Sequence, residues 1–442
     1  MKKALILAVA LLLSISIIAS FSLYGCKAGE EAKPAEAEEK VEKVEKVEKV
    51  EQVVLKYWAV QESPKVEDYI KGAIANYEEK NLNVKIEFTL IPYPQYRDKL
   101  LVSIEGGDAP DVFLVDQIWN AEFAASGSII PLDDYISQYE INPDDYFSGA
   151  WESTVYEGKV WGITSDLDVW SFTFYNKDMF DAAGLDPENP PILTWDDFTA
   201  TCIKLNIPSE DQWAVALPGG KNEGTIVVID KFIYSNGGSI ISEDGKTCTM
   251  NSPEVIEALE YYKSLEQFAP IGVAAAERED NLVIFQNKKV AMFWFPQLGQ
   301  DNLGDVDFDW GVDLSPAPEG KKPIGTLGGW TMVISKASSS QDVAFDFISY
   351  MTSAEVNKGV TSLVPSNVQA AEEFLKGKVK PDLMLEHLQN AKPRPISPVY
   401  PQVSEIQQDM IQNIFTGTGV KEAVEVATNK IQQLLDDYYG SK

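Results

Sequence analysis

The clearest indication of the fold class comes from Gly107-Asp108-Ala109-Pro110-Asp111-Val112-Phe113-Leu114-Val115-Asp116. Its four consecutive apolar residues, 112–115, predict a short strand that is buried on both faces. Such strands are typical of parallel sheets that are covered by helices on both sides. A carboxylate, Asp116, directly follows the predicted strand.

The sequence on either side of this stretch alternates between strand and helix patterns. Residues 53–58 and 84–90 have strand patterns, whereas residues 66–77 and 93–105 carry apolar side chains at helical spacing. The alternation returns after Thr194, a predicted helix N-cap. These patterns predict an α/β fold with mostly parallel sheets flanked by helices. Because no long Pro/Gly linker divides the body of the chain, we expect domains that are joined by several chain crossings.

The N-terminus has the pattern of a secretory signal that ends at a cysteine. Met1-Lys2-Lys3 precedes an apolar run from Ala4 to Ala19, and Leu23-Tyr24-Gly25 precedes Cys26. A basic start, an apolar middle and a small residue at the cleavage site predict that residues 1–25 are a signal peptide. Cys26 resembles the lipid-carrying cysteine of a bacterial lipobox, with Tyr24 where a small residue is usual. The alternatives are an uncleaved membrane anchor and a secreted chain with an incidental cysteine.

Residues 26–52 are predicted to form a charged, flexible tether. From Glu30 to Gln52 nearly every residue is Glu, Lys, Val or Ala, and valine recurs every third residue from Val41 to Val50. A period of three gives a helix no continuous apolar stripe. The segment therefore cannot bury enough apolar surface to offset the entropy of ordering.

Composition restricts the class of function. The chain of 442 residues has a formal net charge of −31, which argues against a nucleic-acid partner. The single histidine, His387, argues against zinc and triad chemistry. The repeat Asp305–Asp309 lacks the glycine of a calcium loop, because Trp310 occupies that position, and we interpret the repeat as a strand. We therefore expect no metal and no cofactor. Cys202 and Cys248 either pair or remain buried thiols.

Several segments, taken together and in order, resemble one family. They are Gly107-Asp108-Ala109-Pro110-Asp111-Val112 with Gly127 and Pro131-Leu132, Gly162-Ile163, Tyr175-Asn176-Lys177-Asp178, Ala183-Gly184-Leu185, Thr194-Trp195-Asp196, Gly237-Gly238, Asn251-Ser252-Pro253-Glu254, Lys289-Val290-Ala291-Met292, Gly328-Gly329-Trp330, Ala344 to Met351, and Pro393-Arg394-Pro395. From about Val53 to Leu435 the chain resembles the extracellular solute-binding proteins of family 1, the sugar-binding subunits of ABC importers.

The resemblance implies a two-lobed clamp of the periplasmic-binding-protein type II, joined by three hinge crossings. By analogy, the first lobe would comprise residues 53–164 and about 312–360, and the second residues 165–311 and about 361–442. The implied partners are a saccharide between the lobes and the permease subunits of an importer, at an extracytoplasmic location. We expect a monomer without catalytic activity, held at the membrane by a lipid on Cys26.

Four tryptophans are predicted to contact the saccharide, because each closes a strand or lies beside glycine or polar turn residues: Trp58, Trp119, Trp294 and Trp330. An aromatic face suits the C–H face of a sugar. Trp330 is the main stacking candidate, since Gly328 and Gly329 let the backbone approach a ligand. The alternative for each tryptophan is a place in the core.

Carboxylates and a guanidinium are predicted at the same site. Asp116 either binds the ligand or caps the helical segment that begins at Gln117. Arg394, between two prolines, either binds the ligand or forms a structural ion pair. Asp168 lies beside the first predicted hinge. A further group is proposed from hinge or loop position: Glu62, Asp166, Trp170 and Tyr400.

The sequence therefore predicts a lipid-anchored saccharide receptor of an ABC importer. One alternative is a receptor for a non-sugar solute, such as a polyol phosphate, on the same fold. The other is a surface carbohydrate-active enzyme, although no pair of carboxylates stands out as acid and nucleophile.

Overall fold

Strands and helices alternate along the chain, which the computed structural model describes for residues 52–296 and 299–440. Within these residues the strands are β1 (Val53–Val60), β2 (Val84–Ile91), β3 (Val112–Asp116), β4 (Val155–Tyr156), β5 (Lys159–Val160), β6 (Ile163–Thr164), β7 (Asp166–Val169), β8 (Phe172–Asn176), β9 (Trp213–Val215), β10 (Val290–Phe295), β11 (Trp310–Leu314), β12 (Thr326–Gly328), β13 (Trp330–Ile334), β14 (Val364–Pro365) and β15 (Lys392–Pro393).

The helices of the same residues are α1 (Pro64–Lys80), α2 (Tyr93–Glu105), α3 (Asn120–Ala125), α4 (Asp133–Gln138), α5 (Ser148–Glu152), α6 (Lys177–Ala182), α7 (Trp195–Leu205), α8 (Glu223–Ser235), α9 (Pro253–Ser264), α10 (Arg278–Gln286), α11 (Gly299–Asn302), α12 (Gln341–Met351), α13 (Ala354–Asn357), α14 (Val368–Leu375), α15 (Pro381–Gln389), α16 (Tyr400–Phe415) and α17 (Val420–Gly440). None of these described helices is both long and apolar enough to cross a membrane. The predicted signal peptide, the predicted lipid site Cys26 and nearly all of the predicted tether lie outside the described residues.

The first lobe is built on a five-stranded sheet with the order β2-β1-β3-β13-β6. Strand β1 runs parallel to β2 and β3, whereas β13 runs antiparallel to β3 and β6. One hydrophobic core unites residues from Leu55 to Ile163 with residues from Met332 to Val360. The first lobe is thus made of two separate stretches of chain.

The second lobe is built on a four-stranded sheet with the order β11-β8-β10-β9. Strand β10 runs parallel to β9 and antiparallel to β8, and β11 is antiparallel to β8. This pairing corrects the predicted lobe boundary at about residue 312. All five residues of β11 pair with β8, so the chain returns to the first lobe only at β13.

A third sheet, with the order β14-β7-β12-β15, lies where the chain passes between the lobes. We call the three segments around β7, β12 and β14 the crossings. Backbone hydrogen bonds join them, from Ser165 N to Trp330 O at 2.8 Å and from Ser366 N to Ser165 O at 3.2 Å. Gly329 has a φ of +134°, and a Cβ at this position would lie 2.2 Å from the carbonyl oxygen of Asp166. Glycine is therefore required here by the neighbouring crossing, whereas the sequence suggested close approach to a ligand.

The two-lobed α/β architecture is confirmed, with local differences. The sheets are mixed, whereas mostly parallel sheets were predicted: β13 pairs antiparallel with β3 in the first lobe, and β8 pairs antiparallel with both β10 and β11 in the second. The predicted strand over Asp305–Asp309 is wrong, because regular pairing begins only at Trp310. Thr194 caps α7 as predicted, its hydroxyl accepting from Asp197 N at 3.1 Å. Cys202 and Cys248 are both buried and unpaired.

Candidate functional site

The candidate site lies where the lobes meet, and strand register brings its residues together. Antiparallel pairing places Trp330 opposite Asp116, and the crossing sheet places Gly328 opposite Asp168. Because Gly328 and Trp330 are two residues apart, both carboxylates reach the same junction.

An aromatic cluster forms the first-lobe side of the site. The half-buried ring of Trp330 meets three rings edge-on, those of Tyr93, Tyr96 and Trp119, with centroids 6.0, 5.8 and 5.9 Å away. Tyr96 is fixed by its hydroxyl, which donates to the carbonyl oxygen of Leu114 at 2.7 Å. Trp119 is buried, whereas Tyr93 remains 49% exposed. Aromatic surface is therefore available at Trp330 and Tyr93, and the other two rings support it.

Trp58 joins this cluster through its backbone. Its carbonyl oxygen accepts from the Tyr96 hydroxyl at 3.2 Å, and its side chain is half-buried against the first-lobe core.

The second-lobe side of the site centres on Arg394. Its guanidinium donates from Nη2 to Asp116 Oδ1 at 3.0 Å and from Nη1 to Glu223 Oε1 at 2.7 Å. Asp116 Oδ1 also accepts from Ile118 N at 3.2 Å. Both structural alternatives from the sequence are thus realised, an ion pair for Arg394 and a cap for Asp116. Since Asp116 belongs to the first lobe, the ion pair links the two lobes.

Burial governs the charge state of Asp116. Desolvation raises the pKa of this carboxyl to about 6, opposed by the Arg394 guanidinium and assisted by Glu223. Even an ion pair with Arg394 does not restore its ordinary acidity.

Asp168 lies on the second-lobe side of the crossing sheet, beside Trp170. The Trp170 indole donates from Nε1 to Asp168 Oδ2 at 2.8 Å, and the Arg278 guanidinium lies 4.3 Å from the Trp170 ring centroid. Asp168 Oδ1 is buried and has no hydrogen-bond partner among the described residues. Burial raises the pKa of Asp168, and Arg394 and Arg278 only partly offset it. A buried oxygen with spare accepting capacity is available to a ligand.

Asp166 and Glu62 accept hydrogen bonds at the crossings. Asp166 Oδ1 accepts from Trp330 N at 3.0 Å, which holds the start of β13. Glu62 accepts from the Ser362 hydroxyl. Burial raises the pKa of both carboxyls, and Glu62 adds to the effect on Asp166.

Two predicted residues have other positions. Trp294 is 1% exposed in the second-lobe core and packs against Phe198, Phe232 and Tyr262, so the structure corrects its assignment to the cleft. It lies within β10, whose six residues are all buried, rather than at a strand end. Tyr400 is also fully buried and donates its hydroxyl to Glu223 Oε1 at 3.1 Å, behind Arg394.

Three residues of the site were missed from the sequence: Tyr93, Glu223 and Arg278. Each begins a helix, where tyrosine after proline, glutamate after an N-cap and arginine in a charged turn are ordinary. The sequence carried one signal, the glycine pair Gly219-Gly220 just before Glu223.

The described residues include no cluster of three or more His, Cys, Asp and Glu side chains arranged to hold a metal ion. The site consists of aromatic rings, carboxylates and guanidinium groups, which suits recognition of a polar organic molecule.

Comparison with known proteins gives relatives along most of the chain. The diacetylchitobiose-binding protein of Streptomyces coelicolor is 25% identical over 337 residues, covering 73% of this chain and 75% of its own. The mannitol-binding protein of Pseudomonas aeruginosa is 22% identical over 337 residues, covering 72% and 75%. An ABC transporter solute-binding protein from Thermotoga lettingae, solved with α-D-tagatose, has a TM-score of 0.75 and 26% identity, covering 87% of this chain and all of its own.

The family model for bacterial extracellular solute-binding proteins matches residues 63–358, about two thirds of the chain. These residues include most of the first lobe, the crossings at β7 and β12, and the aromatic cluster of the site, whereas β14 and Arg394 lie beyond residue 358. The chain belongs to the bacterial extracellular solute-binding proteins.

Proposed function

We propose that this protein is the saccharide receptor of an ABC importer and binds its ligand between the lobes without chemical change. The proposal rests on two groups that strand register brings to the same junction. One is the half-buried indole of Trp330, and the other is the buried Oδ1 atom of Asp168, which has no hydrogen-bond partner among the described residues. The apolar face of a sugar can pack on the Trp330 indole, and one of its hydroxyl groups can donate a hydrogen bond to Asp168 Oδ1. Relatives named for diacetylchitobiose and mannitol, and one solved with tagatose, bind molecules rich in neighbouring hydroxyls.

The lobes act as a clamp in this proposal. Asp116 lies on one lobe and Arg394 on the other, so a ligand at their junction contacts both lobes and favours the closed arrangement. A monomer is sufficient for this closure. The permease of the importer then binds the closed form.

A thermal-shift screen of the full-length protein with mono- and oligosaccharides tests the proposal. Ligand that binds only the native state raises the melting temperature. We expect at least one neutral saccharide to do so, without product formation on long incubation. Hydrolysis products would instead identify an enzyme, and a shift by non-sugar solutes alone would overturn the saccharide assignment.

We further propose that a lipid on Cys26 holds the receptor at the membrane. Residues 1–25 have the signal pattern, and the cysteine directly follows them. Mass spectrometry of the mature protein checks this, because a diacylglycerol adds a defined mass to the N-terminal peptide and Cys26→Ser removes it. An unmodified Cys26 would leave a secreted or membrane-spanning form.

A further inference from the structure

We infer that the site selects saccharides that are neutral or positively charged and rejects those that carry a carboxylate or a phosphate. This inference rests on the proposed function and names the ligand class of the same site. It follows from the balance of fixed charge at the junction and from the two polar atoms left without partners.

Carboxylates outnumber guanidinium groups around the site. The acidic residues are Asp116, Asp166, Asp168 and Glu223, and the basic residues are Arg278 and Arg394. All six lie on the strand ends, crossings and helix starts that surround Trp330. An anionic ligand therefore enters a site in which neighbouring carboxyl groups already compensate the two guanidinium charges.

Arg394, the guanidinium nearest the junction, is already engaged. Its two terminal nitrogens donate to Asp116 at 3.0 Å and to Glu223 at 2.7 Å, and the side chain is almost fully buried. Glu223 is held in place by hydroxyl groups of Tyr400 and Ser404. Two carboxylates thus compensate one cation, and little positive charge remains to attract an anion.

Arg278 has a different orientation. Its guanidinium lies 4.3 Å from the centroid of the Trp170 ring, and its positive charge acts on Asp168. The two arginines together do not overcome the desolvation of Asp168, whose pKa remains raised. A further negative charge at this point would be repelled by the carboxylate.

The unsatisfied atoms match a hydroxyl group. Asp168 Oδ1 and Arg394 Nε are both buried without a hydrogen-bond partner in the described part of the chain. Their side chains flank Gly328, where a Cβ would lie 2.3 Å from Asp168 Oδ1 and 3.4 Å from Arg394 Nη2. A hydroxyl donates one hydrogen bond and accepts another, whereas an ionised carboxylate or phosphate only accepts. A hydroxyl group placed here can therefore donate a hydrogen bond to Asp168 Oδ1, whereas an ionised carboxylate or phosphate group placed here cannot.

The charges around the junction also distinguish the two receptor alternatives that the sequence raised. A polyol phosphate would bring a charged group to a junction that has no uncompensated guanidinium among the described residues, whereas a neutral polyol or sugar brings no charge. An amino sugar adds a donor and a compensating charge, so it fits at least as well as its neutral parent.

Matched ligands test the inference on the full-length protein by thermal shift and titration. The sets are glucose, galactose and mannose, each with its uronate, 6-phosphate and 2-amino counterparts; mannitol with mannitol 1-phosphate; maltose with maltose 6′-phosphate; and diacetylchitobiose with chitobiose. We expect each neutral ligand that binds to do so at least about tenfold more tightly than its anionic counterpart. An anionic counterpart that binds equally well or better would overturn the inference and leave a saccharide receptor standing. If no probe of any charge binds, the proposed function fails, and the inference fails with it.

Asp168→Asn tests the residue assignment. Asparagine keeps an acceptor for the Trp170 indole but removes the negative charge, so we expect the preference for neutral over anionic ligands to fall by about tenfold. Asp98→Asn, on the exposed face of α2, is the matched control and should leave the preference unchanged. An Asp168→Asn variant that unfolds at the wild-type temperature and keeps the full preference would refute the role of Asp168.

Discussion

Trp330 lies half-buried between Tyr93, Tyr96 and Trp119, and its backbone nitrogen is held by Asp166. Trp330→Ala would remove the stacking surface while leaving this hydrogen bond intact. We expect at least tenfold weaker saccharide binding, seen as a lost thermal shift. Trp330→Phe keeps a ring and should retain most of the shift. Equal shifts for the alanine variant and the wild type would exclude Trp330 from the site.

Lys231 carries an ionisable group inside the second lobe. It lies on α8, 1% exposed, with its Nζ 4.1 Å from the Trp294 ring centroid and no hydrogen-bond partner within the described chain. Burial lowers its pKa well below 10.5. The unfolded chain therefore binds a proton that the native state does not, and stability falls as the pH falls.

Lys231→Met should remove this cost. We expect the free energy of unfolding to rise by about 1–3 kcal/mol at pH 7, and by more at pH 6 than at pH 9. Urea unfolding at the three pH values measures the difference. Lys65→Met, at an exposed position of α1, should change little. A less stable Lys231→Met protein at every pH would contradict the prediction.

The sequence predicted those residues at the lobe junction that a strand end or a special neighbour marks. Asp116 follows a fully apolar strand, Trp330 follows two glycines, and Arg394 lies between prolines. Trp294 failed because β10 is apolar throughout, so no alternation revealed which way its side chain points. Tyr93 and Glu223 were not predicted. Each is the first residue of a helix, and only tertiary packing determines whether such a residue lies at the cleft or elsewhere on the surface.

At the scale of elements, the crossings are the parts least tolerant of added volume. Gly329→Ala would place a methyl group 2.2 Å from the Asp166 carbonyl oxygen at a φ of +134°. We expect a loss of about 3 kcal/mol or more, from steric overlap together with backbone strain. Gly107→Ala is a matched control, since Gly107 also has a positive φ, +75°, but a Cβ there meets nothing within 4 Å. Its cost should stay near 1 kcal/mol. Chemical denaturation checks both variants, and equal costs would argue against crowding at the crossing.

The spacing of apolar residues predicted most helices and strands, because each of these elements has a continuous apolar face that is visible in its own sequence. Helix α2 has the predicted bounds, Tyr93–Glu105, and β2 extends the predicted strand by one residue. The assignment of β11 to the first lobe failed, since its sheet partner, β8, lies more than 130 residues earlier in the chain. Pairing over such a distance depends on the whole fold and leaves no local mark.

At the scale of the whole molecule, buried groups set the response to pH. Among the described residues, five carboxyls have pKa values that burial raises: Glu62, Asp116, Asp166, Asp168 and Asp230. A raised pKa means that the native state binds the proton more tightly than the unfolded chain. Each carboxyl therefore stabilises the fold as the pH falls through its native pKa towards about 4. Lys231 and His387 act in the opposite direction, the pKa of His387 being lowered to about 4.

Between pH 7.5 and pH 5.0 these five carboxyls outnumber Lys231 and His387. Carboxyls whose pKa is lowered, such as Glu78 and Asp186, titrate mainly below this range. We therefore expect the ligand-free protein to melt at a higher temperature at pH 5.0 than at pH 7.5. Asp230→Asn removes one of the five and should reduce the difference, whereas the exposed Asp98→Asn should not. Calorimetry in buffers of matched ionic strength measures it. A melting temperature that falls steadily from pH 7.5 to pH 5.0 would contradict the balance of groups.

The cluster around Trp330 also gives the molecule an optical signature. Two indoles, those of Trp119 and Trp330, have centroids 5.9 Å apart at an interplanar angle of 77°. Rings held this closely at a fixed angle couple their electronic transitions, which produces near-ultraviolet circular dichroism. A ligand that packs on Trp330 changes the surroundings of one member of the pair. Occupancy of the cleft can then be followed spectroscopically, without any label and with the native protein.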